Sequence, residues 1–451
     1  MADTGSVDTI VVGAGASGLL AATHLRRQDP THRVAIVDPR TARDVGIAYS
    51  TTDADHLMNV RSSDLSAFPG DGDHFVGWLT DRDGACDPRG FVPRAVYGAY
   101  LRHLLDEVAP VERRQAGVVD LDRDAGSLTA VLSDGQSVTA GHAVLALGHA
   151  RPPAVGWLGD RAASPTLATR LIDDPWTDDG LARIHPEDTV VVIGSGLTAV
   201  DVVVTLGRPP RRTPITTVSS RGLWPCRHPV VPTPREPSPV EPGMSPSQIT
   251  RIVRGMLDRA EAAGDDWRAI IDGLRPVTVD VWRAWSDDDR DRFARLLRRQ
   301  WDRHRHRMAP SVADRIDELE TRGLVRRACG RVVAVGPATP DIDTPPLAVE
   351  LADGTRLTAD WVVNCTGPDP RVVHRGDPLV DDLLARGRAR PGWNGWGLVV
   401  DPDGRLVDAD GRPDPRVSVV GPLRIGGEWE STAIPEIRRQ AESIAARVAT
   451  G

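Results

Sequence analysis

The sequence predicts an α/β protein with two Rossmann-like dinucleotide-binding domains and a helical insertion. Three observations carry this: two glycine-rich turns in matching contexts, a strand unit that recurs after each, and a proline-bounded stretch with helix-capping signals. The turns are Val11-Val12-Gly13-Ala14-Gly15-Ala16-Ser17-Gly18 and Val191-Val192-Ile193-Gly194-Ser195-Gly196-Leu197-Thr198-Ala199. Each follows an apolar run fit for a buried strand and precedes a run that can be helical. Glycine lets the backbone turn tightly and approach a pyrophosphate, whose charge meets the amides and dipole at the helix start. Gly13, Gly15, Ser17 and Gly18 are candidates for one dinucleotide, and Gly194, Ser195, Gly196 and Thr198 for a second.

The residues beyond each turn separate the two ligands. The run Val34-Ala35-Ile36-Val37 ends in Asp38, an acceptor suited to ribose hydroxyls and hostile to a 2'-phosphate, which points to FAD or NAD. The run Ile215-Thr216-Thr217-Val218 ends in Ser219-Ser220-Arg221. A guanidinium forks onto phosphate oxygens, so Ser220 and Arg221 point to NADPH.

The segment Asp134-Gly135-Gln136-Ser137-Val138 through Ala146-Leu147-Gly148 recurs in register from Asp353-Gly354-Thr355-Arg356-Leu357 to Cys365-Thr366-Gly367. Each copy has Asp-Gly turn chemistry, an alternating strand and an apolar strand stopped by glycine. The strands Ala116-Gly117-Val118-Val119-Asp120 and Gly330-Arg331-Val332-Val333-Ala334-Val335 precede them. A last strand, Val417-Ser418-Val419-Val420-Gly421, places Gly421 where the chain can approach the ribityl and pyrophosphate of a flavin.

Between the halves, a stiff connector runs from Pro225 to Pro242. Ser245-Pro246-Ser247-Gln248 then combines an N-cap serine, a first-turn proline and a capping-box glutamine, and Ser286-Asp287-Asp288-Asp289 is a second start signal. Phe293, Leu297 and Trp301 recur at helical spacing, and Arg305 continues their face with His304 beside it. The expected division is residues 1–160 for the first part of the FAD domain, 161–242 for the NADPH domain, 243–323 for the insertion, and 324–451 for the strand unit and the return to the FAD domain.

Composition limits the chemistry. The net charge of −8 over 451 residues gives no support for nucleic-acid binding, and no stretch is apolar enough to span a bilayer, so a cytoplasmic protein is expected. All 55 basic Lys+Arg residues are arginine. Without lysine there is no Schiff base, no pyridoxal phosphate enzyme and no P-loop. Cys86, Cys226, Cys329 and Cys365 form no C-x-x-C pair, which argues against both a zinc site and a redox dithiol.

Further segments are Gly46-Ile47-Ala48-Tyr49-Ser50-Thr51, His56-Leu57-Met58-Asn59-Val60, Phe91-Val92-Pro93-Arg94 and Trp429-Glu430-Ser431-Thr432-Ala433-Ile434-Pro435-Glu436-Ile437-Arg438. With the two turns, these residues make the chain resemble the two-dinucleotide-domain flavoproteins, and within them the FAD/NAD(P)-binding family that includes the YdhS-like proteins. The resemblance covers nearly the whole chain. It implies FAD in a discontinuous domain built from both ends, NADPH in the middle, and Asn59, Arg94, Val119, Gly421 and Thr432 among the cofactor-binding residues. An amide at Asn59 can bond the isoalloxazine edge without adding charge. Arg61 stands where the family resembles proline, and with Arg305 and Arg227 it is a candidate partner for a substrate carboxylate.

The family's enzymatic relatives are flavin monooxygenases, including amine N-hydroxylases. The resemblance therefore implies an FAD-dependent, NADPH-using monooxygenase that forms a hydroperoxyflavin and acts with O2 on a small anionic substrate such as an amino acid, by N-hydroxylation. Asn59, Arg61 and Arg305 are its candidate flavin-edge or substrate contacts. Gly148-His149-Ala150-Arg151-Pro152-Pro153 departs from the phenylalanine, glycine and histidine signature of those enzymes. An NADPH:acceptor oxidoreductase, an NADPH oxidase and a non-catalytic redox-sensing flavoprotein share the same two sites.

Overall fold

The computed structural model describes residues 3–40, 44–108, 110–123, 126–153, 164–177, 180–339 and 345–449. The strand that leads into the first glycine turn, Asp3–Val12, lies inside an eight-stranded sheet. Val34–Val37 and Ser137–Leu145 flank it in parallel, with Val12 level with Val37 and Leu145. Pro413–Val419 adds beside Ser137–Leu145, also in parallel, so the sheet is completed by residues from the far end of the chain. Helices Ala16–Gln28, Arg94–Glu107 and Ile434–Val448 bury Leu19, Leu101 and Ile437 in one core, and helix Pro378–Ala385 buries Leu379 and Leu383 in another.

The second turn has its own five-stranded sheet. Val190–Ile193 lies between Ile215–Ser219 and Trp361–Asn364, with Val325–Cys329 and Leu171–Ile172 at the edges, all parallel. A three-stranded antiparallel sheet, Val332–Pro337, Leu347–Leu351 and Arg356–Ala359, packs against it. Residues 325–364 thus belong with the middle domain, and the return to the first sheet follows Asn364.

The two copies of the strand unit begin alike. Asp134 and Asp353 each accept a hydrogen bond from the amide two residues on, at 3.0 and 2.9 Å, and Gly135 and Gly354 take φ of +83° and +87°. They then differ. Ser137–Leu145 runs unbroken from the antiparallel flap into the main sheet, whereas the second copy splits at Asp360. The Asp360 carboxylate accepts from the Thr189 amide at 2.8 Å and hydroxyl at 2.7 Å, which turns the chain there.

In the insertion, helix Pro246–Ala263 opens on a complete capping box: Ser245 Oγ accepts from the Gln248 amide at 3.4 Å and Gln248 Oε1 accepts from the Ser245 amide at 2.8 Å. Ser286 caps helix Asp287–Leu296. The continuous helix suggested by the Phe293–Trp301 spacing is interrupted at Leu297 and resumes as Arg298–Arg305, yet Phe293, Leu297 and Trp301 still pack into one cluster. That cluster joins the insertion to the returning chain through Trp282, which lies 5.3 Å from Trp393 and 4.7 Å from Trp429 between ring centroids. Aromatic contacts at these spacings contribute beyond the area they bury.

Three buried histidines, His56, His142 and His228, predict an acid-sensitive fold. Burial pushes His56 down to about 4 and His142 and His228 down to about 3, with neighbouring arginines adding to the effect. Their folded values lie below the unfolded 6.5, so they favour the fold at neutral pH, and that contribution falls away as pH drops from 6.5 through the folded values. His56 faces Asp53, Thr205, Thr51, Arg94 and Arg208; His142 faces Ser418, Arg447, Arg416 and His32; His228 faces Asn59, Arg307, Arg61 and Asp272. Asp201, pushed up to about 6 by burial against the pull of Arg94, acts in the opposite sense. His149 and His306, also pushed down to about 4, and His24, also lowered, act with the three histidines, and Asp302, pushed up by burial, acts with Asp201. The histidines outnumber the acids, so Tm is expected to fall by about 10 °C or more as pH is lowered from about 7 to about 4.5, measured by differential scanning fluorimetry.

Candidate dinucleotide clefts and the cavity beside them

The second glycine turn opens into a cleft of about 910 Å3. Gly194 has φ of +121°, and a Cβ there would lie 2.2 Å from the Cys365 carbonyl oxygen, so the chain approaches its neighbour strand as only glycine permits. At Gly196 a Cβ would meet nothing within 4 Å. Gly196 caps helix Leu197–Leu206, whose first turn has no side-chain cap and no acidic residue. Those amides therefore face the cleft without an acceptor from the helix's own start, as a pyrophosphate site requires. Ser195, Thr198, Ser220 and Arg221 line the same cleft.

The opposite wall comes from the insertion. Arg298, Arg299 and Arg303 line the cleft, and Arg299 donates to the Ser220 hydroxyl, beside Arg221. Sequence reasoning nominates Ser220 and Arg221 but not Arg299. The basic run Arg298-Arg299 on a short helix carries no sign of its distant partner, which only the fold supplies.

The first turn is built the same way. Gly13 has φ of +109° and its Cβ would fall 2.5 Å from the Ala146 carbonyl oxygen; at Gly18 a Cβ would fall 1.9 Å from the Gly13 carbonyl oxygen. Gly15 caps helix Ala16–Gln28, again with no side-chain cap and no acid in its first turn, and the Gly15 face meets only the Gly46 Cα at 3.8 Å. Gly421, with φ of +79°, brings the returning chain over Ser17, where a Cβ would lie 2.3 Å from Oγ. Asp38 is buried and accepts from the Ala14 amide at 2.8 Å and from Arg40, whose exposed guanidinium forks onto it. A hydroxyl offered to Asp38 would therefore exchange with Arg40 rather than fill an empty acceptor. Val119 lies at an irregularity of the Val118–Arg123 strand, and Thr432 lines the large cleft from the returning segment. Beside Thr432, the buried Trp429 Nε1 and Ser431 Oγ have no partner among the described residues. Open helix starts, uncapped glycine faces and these orphaned groups fit a dinucleotide at each turn.

The flavin-edge candidates have separate fates. Asn59 lines a cavity of about 180 Å3 with Tyr49, Arg94, Asp201 and Arg307, and its carbonyl is 3.0 Å from His228 Nε2. Arg94 donates to Asp201 at 2.7 Å, which bridges the two domains at this cavity. Arg61 is buried, its guanidinium donating to the carbonyls of Arg89 and Pro229 and lying 5.0 Å from the Phe91 ring, so it ties the first domain to the connector. Arg305 is buried against Glu430, with Nε and Nη2 each 3.1 Å from Oε2. Glu430 also accepts from Trp301 Nε1 at 3.0 Å and sits at a left-handed φ of 72°, a conformation costing about 1–3 kcal/mol that its three-way fixing maintains. Arg227 pairs with Asp314 and Asp317. Arg307, which the sequence did not single out, is 2% exposed; it forks onto Asp272 while Nε and Nη1 have no partner among the described residues.

Two sheets with parallel centres, each feeding a glycine turn into an uncapped helix, one of them closed by both ends of the chain, define a fold with two dinucleotide-binding domains. The sequence profile of a family described as FAD-NAD(P)-binding matches residues 10–150, the first of these domains. No curated protein matches the chain by sequence. Among solved structures, the chain is similar to an ornithine N-hydroxylase of Kutzneria sp. 744, recorded with reduced FAD, NADP+ and L-ornithine, at a TM-score of 0.66, 16% identity and 99% coverage of both chains. It is similar to a flavin monooxygenase from Stenotrophomonas maltophilia at 0.55, 19% and 99% of both. It also resembles the thioredoxin reductase of Lactococcus lactis at 0.56, 12% and 98% of both. At these identities the likeness establishes the fold, and one fold serving three reactions leaves the choice to the site. The four cysteines, Cys86, Cys226, Cys329 and Cys365, are free, and Cys365 is the buried one. Among the described residues no cluster of side chains could hold a metal, and no helix is long and apolar enough to cross a membrane.

Proposed function

We propose that the protein is an FAD-dependent, NADPH-using monooxygenase acting on a small molecule. The observation that carries this is the 910 Å3 cleft at the second glycine turn, which is lined by arginines from two elements, Arg221 and Arg299 among them, and by Trp429. In the overall reaction one atom of O2 enters the substrate, the other leaves as water, and NADPH with a proton supplies the two electrons. FAD at the first turn supplies the electron relay and the activation of oxygen. This chain's residues do the rest: the Gly194–Thr198 turn seats the pyrophosphate, Arg221 and Arg299 grip the 2'-phosphate, and the Trp429 wall screens the reacting centre from water. Anaerobic bleaching of the flavin by NADPH, followed by oxygen uptake in the presence of amines, tests the proposal. Peroxide release equal to NADPH use with every amine would replace it with an NADPH oxidase, and absence of bleaching with a redox sensor.

The arginine pair makes a sharper prediction. Arg221→Ala and Arg299→Ala each raise KM for NADPH about tenfold or more while leaving KM for NADH within about twofold, because charge-assisted bonds to a phosphate are among the strong ones. Equal losses with both nucleotides would remove the two residues from the 2'-phosphate.

N-hydroxylation of an amino acid, the second reading, now draws on a different cation. Arg61, Arg227 and Arg305 are each engaged, so none receives a carboxylate without breaking an existing contact. Arg307, with two unpartnered donors beside the Asn59 cavity, is the residue that favours an anionic substrate. NADPH oxidation coupled to L-ornithine and lost in Arg307→Met would support it.

A further inference from the structure

The insertion, with Val240 and Trp429, lines a second space, about 530 Å3, within the size range of small-molecule sites and far above the voids of a close-packed interior. Its walls are apolar and aromatic. Trp267, Trp282, Trp285, Trp301 and Phe293 surround it, with Ile249, Val253, Leu257 and Leu274 between them. Five of the 12 tryptophans of the chain line it, Trp429 being the fifth, in a protein that is only 4% aromatic. Three of their indole N–H groups are spent behind the wall: Trp282 on the Gly426 carbonyl at 3.1 Å, Trp285 on the Met244 carbonyl at 2.8 Å and Trp301 on Glu430 at 3.0 Å. With those polar tips turned away, the rings offer π-faces and edges to whatever enters.

Charge is nearly absent from the space. Arg254 and His304 are the titratable side chains on its wall, and His304 is held by its Nδ1 contact to the Gln300 carbonyl at 2.7 Å and by an edge-on contact with Trp267. Arg254 is exposed, so apart from His304 the wall holds no titratable group away from solvent, and an ion taken into the aromatic part of the space is desolvated with little to compensate it. Gln300 and Trp429 line both this cavity and the dinucleotide cleft, so a molecule in the cavity is separated from the cleft by single side chains.

We propose that this cavity binds an uncharged aromatic molecule and that such molecules are the substrate class of the enzyme, held by the tryptophan wall with the oxidised atom toward Trp429. The substrate role rests on the monooxygenase reading; the binding site does not. The probe is N-phenyl-1-naphthylamine, an uncharged arylamine, added to the FAD-loaded protein without NADPH. Saturable binding is expected, with energy transfer from the tryptophans, displaced by other uncharged aromatics. Val253→Trp, which fills the space from the wall, weakens binding at least about tenfold without lowering Tm; Leu257→Phe serves if the larger ring disturbs folding. Unsaturable binding, unchanged affinity in both variants, or displacement by L-ornithine instead of uncharged aromatics overturns the site. With NADPH and O2, a bound arylamine that yields peroxide alone overturns the substrate role while leaving the binding site standing. Bleaching by NADPH scored in the same sample shows separately whether the redox reading has failed.

Discussion

Gly194→Ala unfolds or severely destabilises the middle domain, and Gly196→Ala, two residues on, leaves its stability unchanged while weakening NADPH binding about tenfold or more. The contrast arises from where each Cβ points. At Gly194 it would enter the Cys365 carbonyl at 2.2 Å, at a φ of +121° that side chains rarely adopt, and both colliding atoms are backbone that cannot swing aside. At Gly196 the φ of −79° suits any residue and nothing lies within 4 Å, so the methyl group would occupy only the space proposed for the pyrophosphate. Thermal denaturation of the apoprotein and NADPH titration of the holoprotein separate the two. Tight NADPH binding by Gly196→Ala would show that the ligand does not approach this turn.

Arg305→Met loses about 3–5 kcal/mol of stability, the usual cost of leaving a buried partner charge uncompensated. Glu430 is 6% exposed and would retain only the Trp301 indole. Adding Glu430→Gln to the same chain removes the stranded charge and restores much of the loss, a coupling that a double-mutant cycle in urea measures. Had Arg305 been a phosphate or substrate ligand, the single substitution would change KM and barely move the urea midpoint. That outcome would return it to the candidate site.

The difference between Arg305 as a cation on a helix face and Arg305 as half of a buried pair shows where the sequence stops being legible. Phe293, Leu297 and Trp301 define the buried face by local spacing, and it survives even the break at Leu297. What that face meets is a matter of the returning chain, and Glu430 lies 125 positions away. The glycine turns were readable for the opposite reason. Their strand, turn and helix are contiguous, so the geometry that Gly13 and Gly194 must adopt is encoded within a few residues. Capping signals at Ser245 and Ser286 were legible on the same grounds. The roles of Arg61, Arg299 and Arg307 were not, because an arginine in sequence shows a charge and not its partner. The aromatic cavity is the extreme case: it draws its tryptophans from the insertion and from Trp429, and no window of sequence contains both sides.

The strand Pro413–Val419 has a consequence for synthesis on the ribosome. It pairs with Ser137–Leu145, and helix Ile434–Val448 lies against helix Ala16–Gln28, so the first domain to be translated is the last to be finished. The middle sheet is complete once Asn364 has emerged. Until the closing strand arrives, the nascent chain carries one finished domain and one open sheet edge at Ala143–Leu145, the kind of exposed pairing surface that chaperones shield.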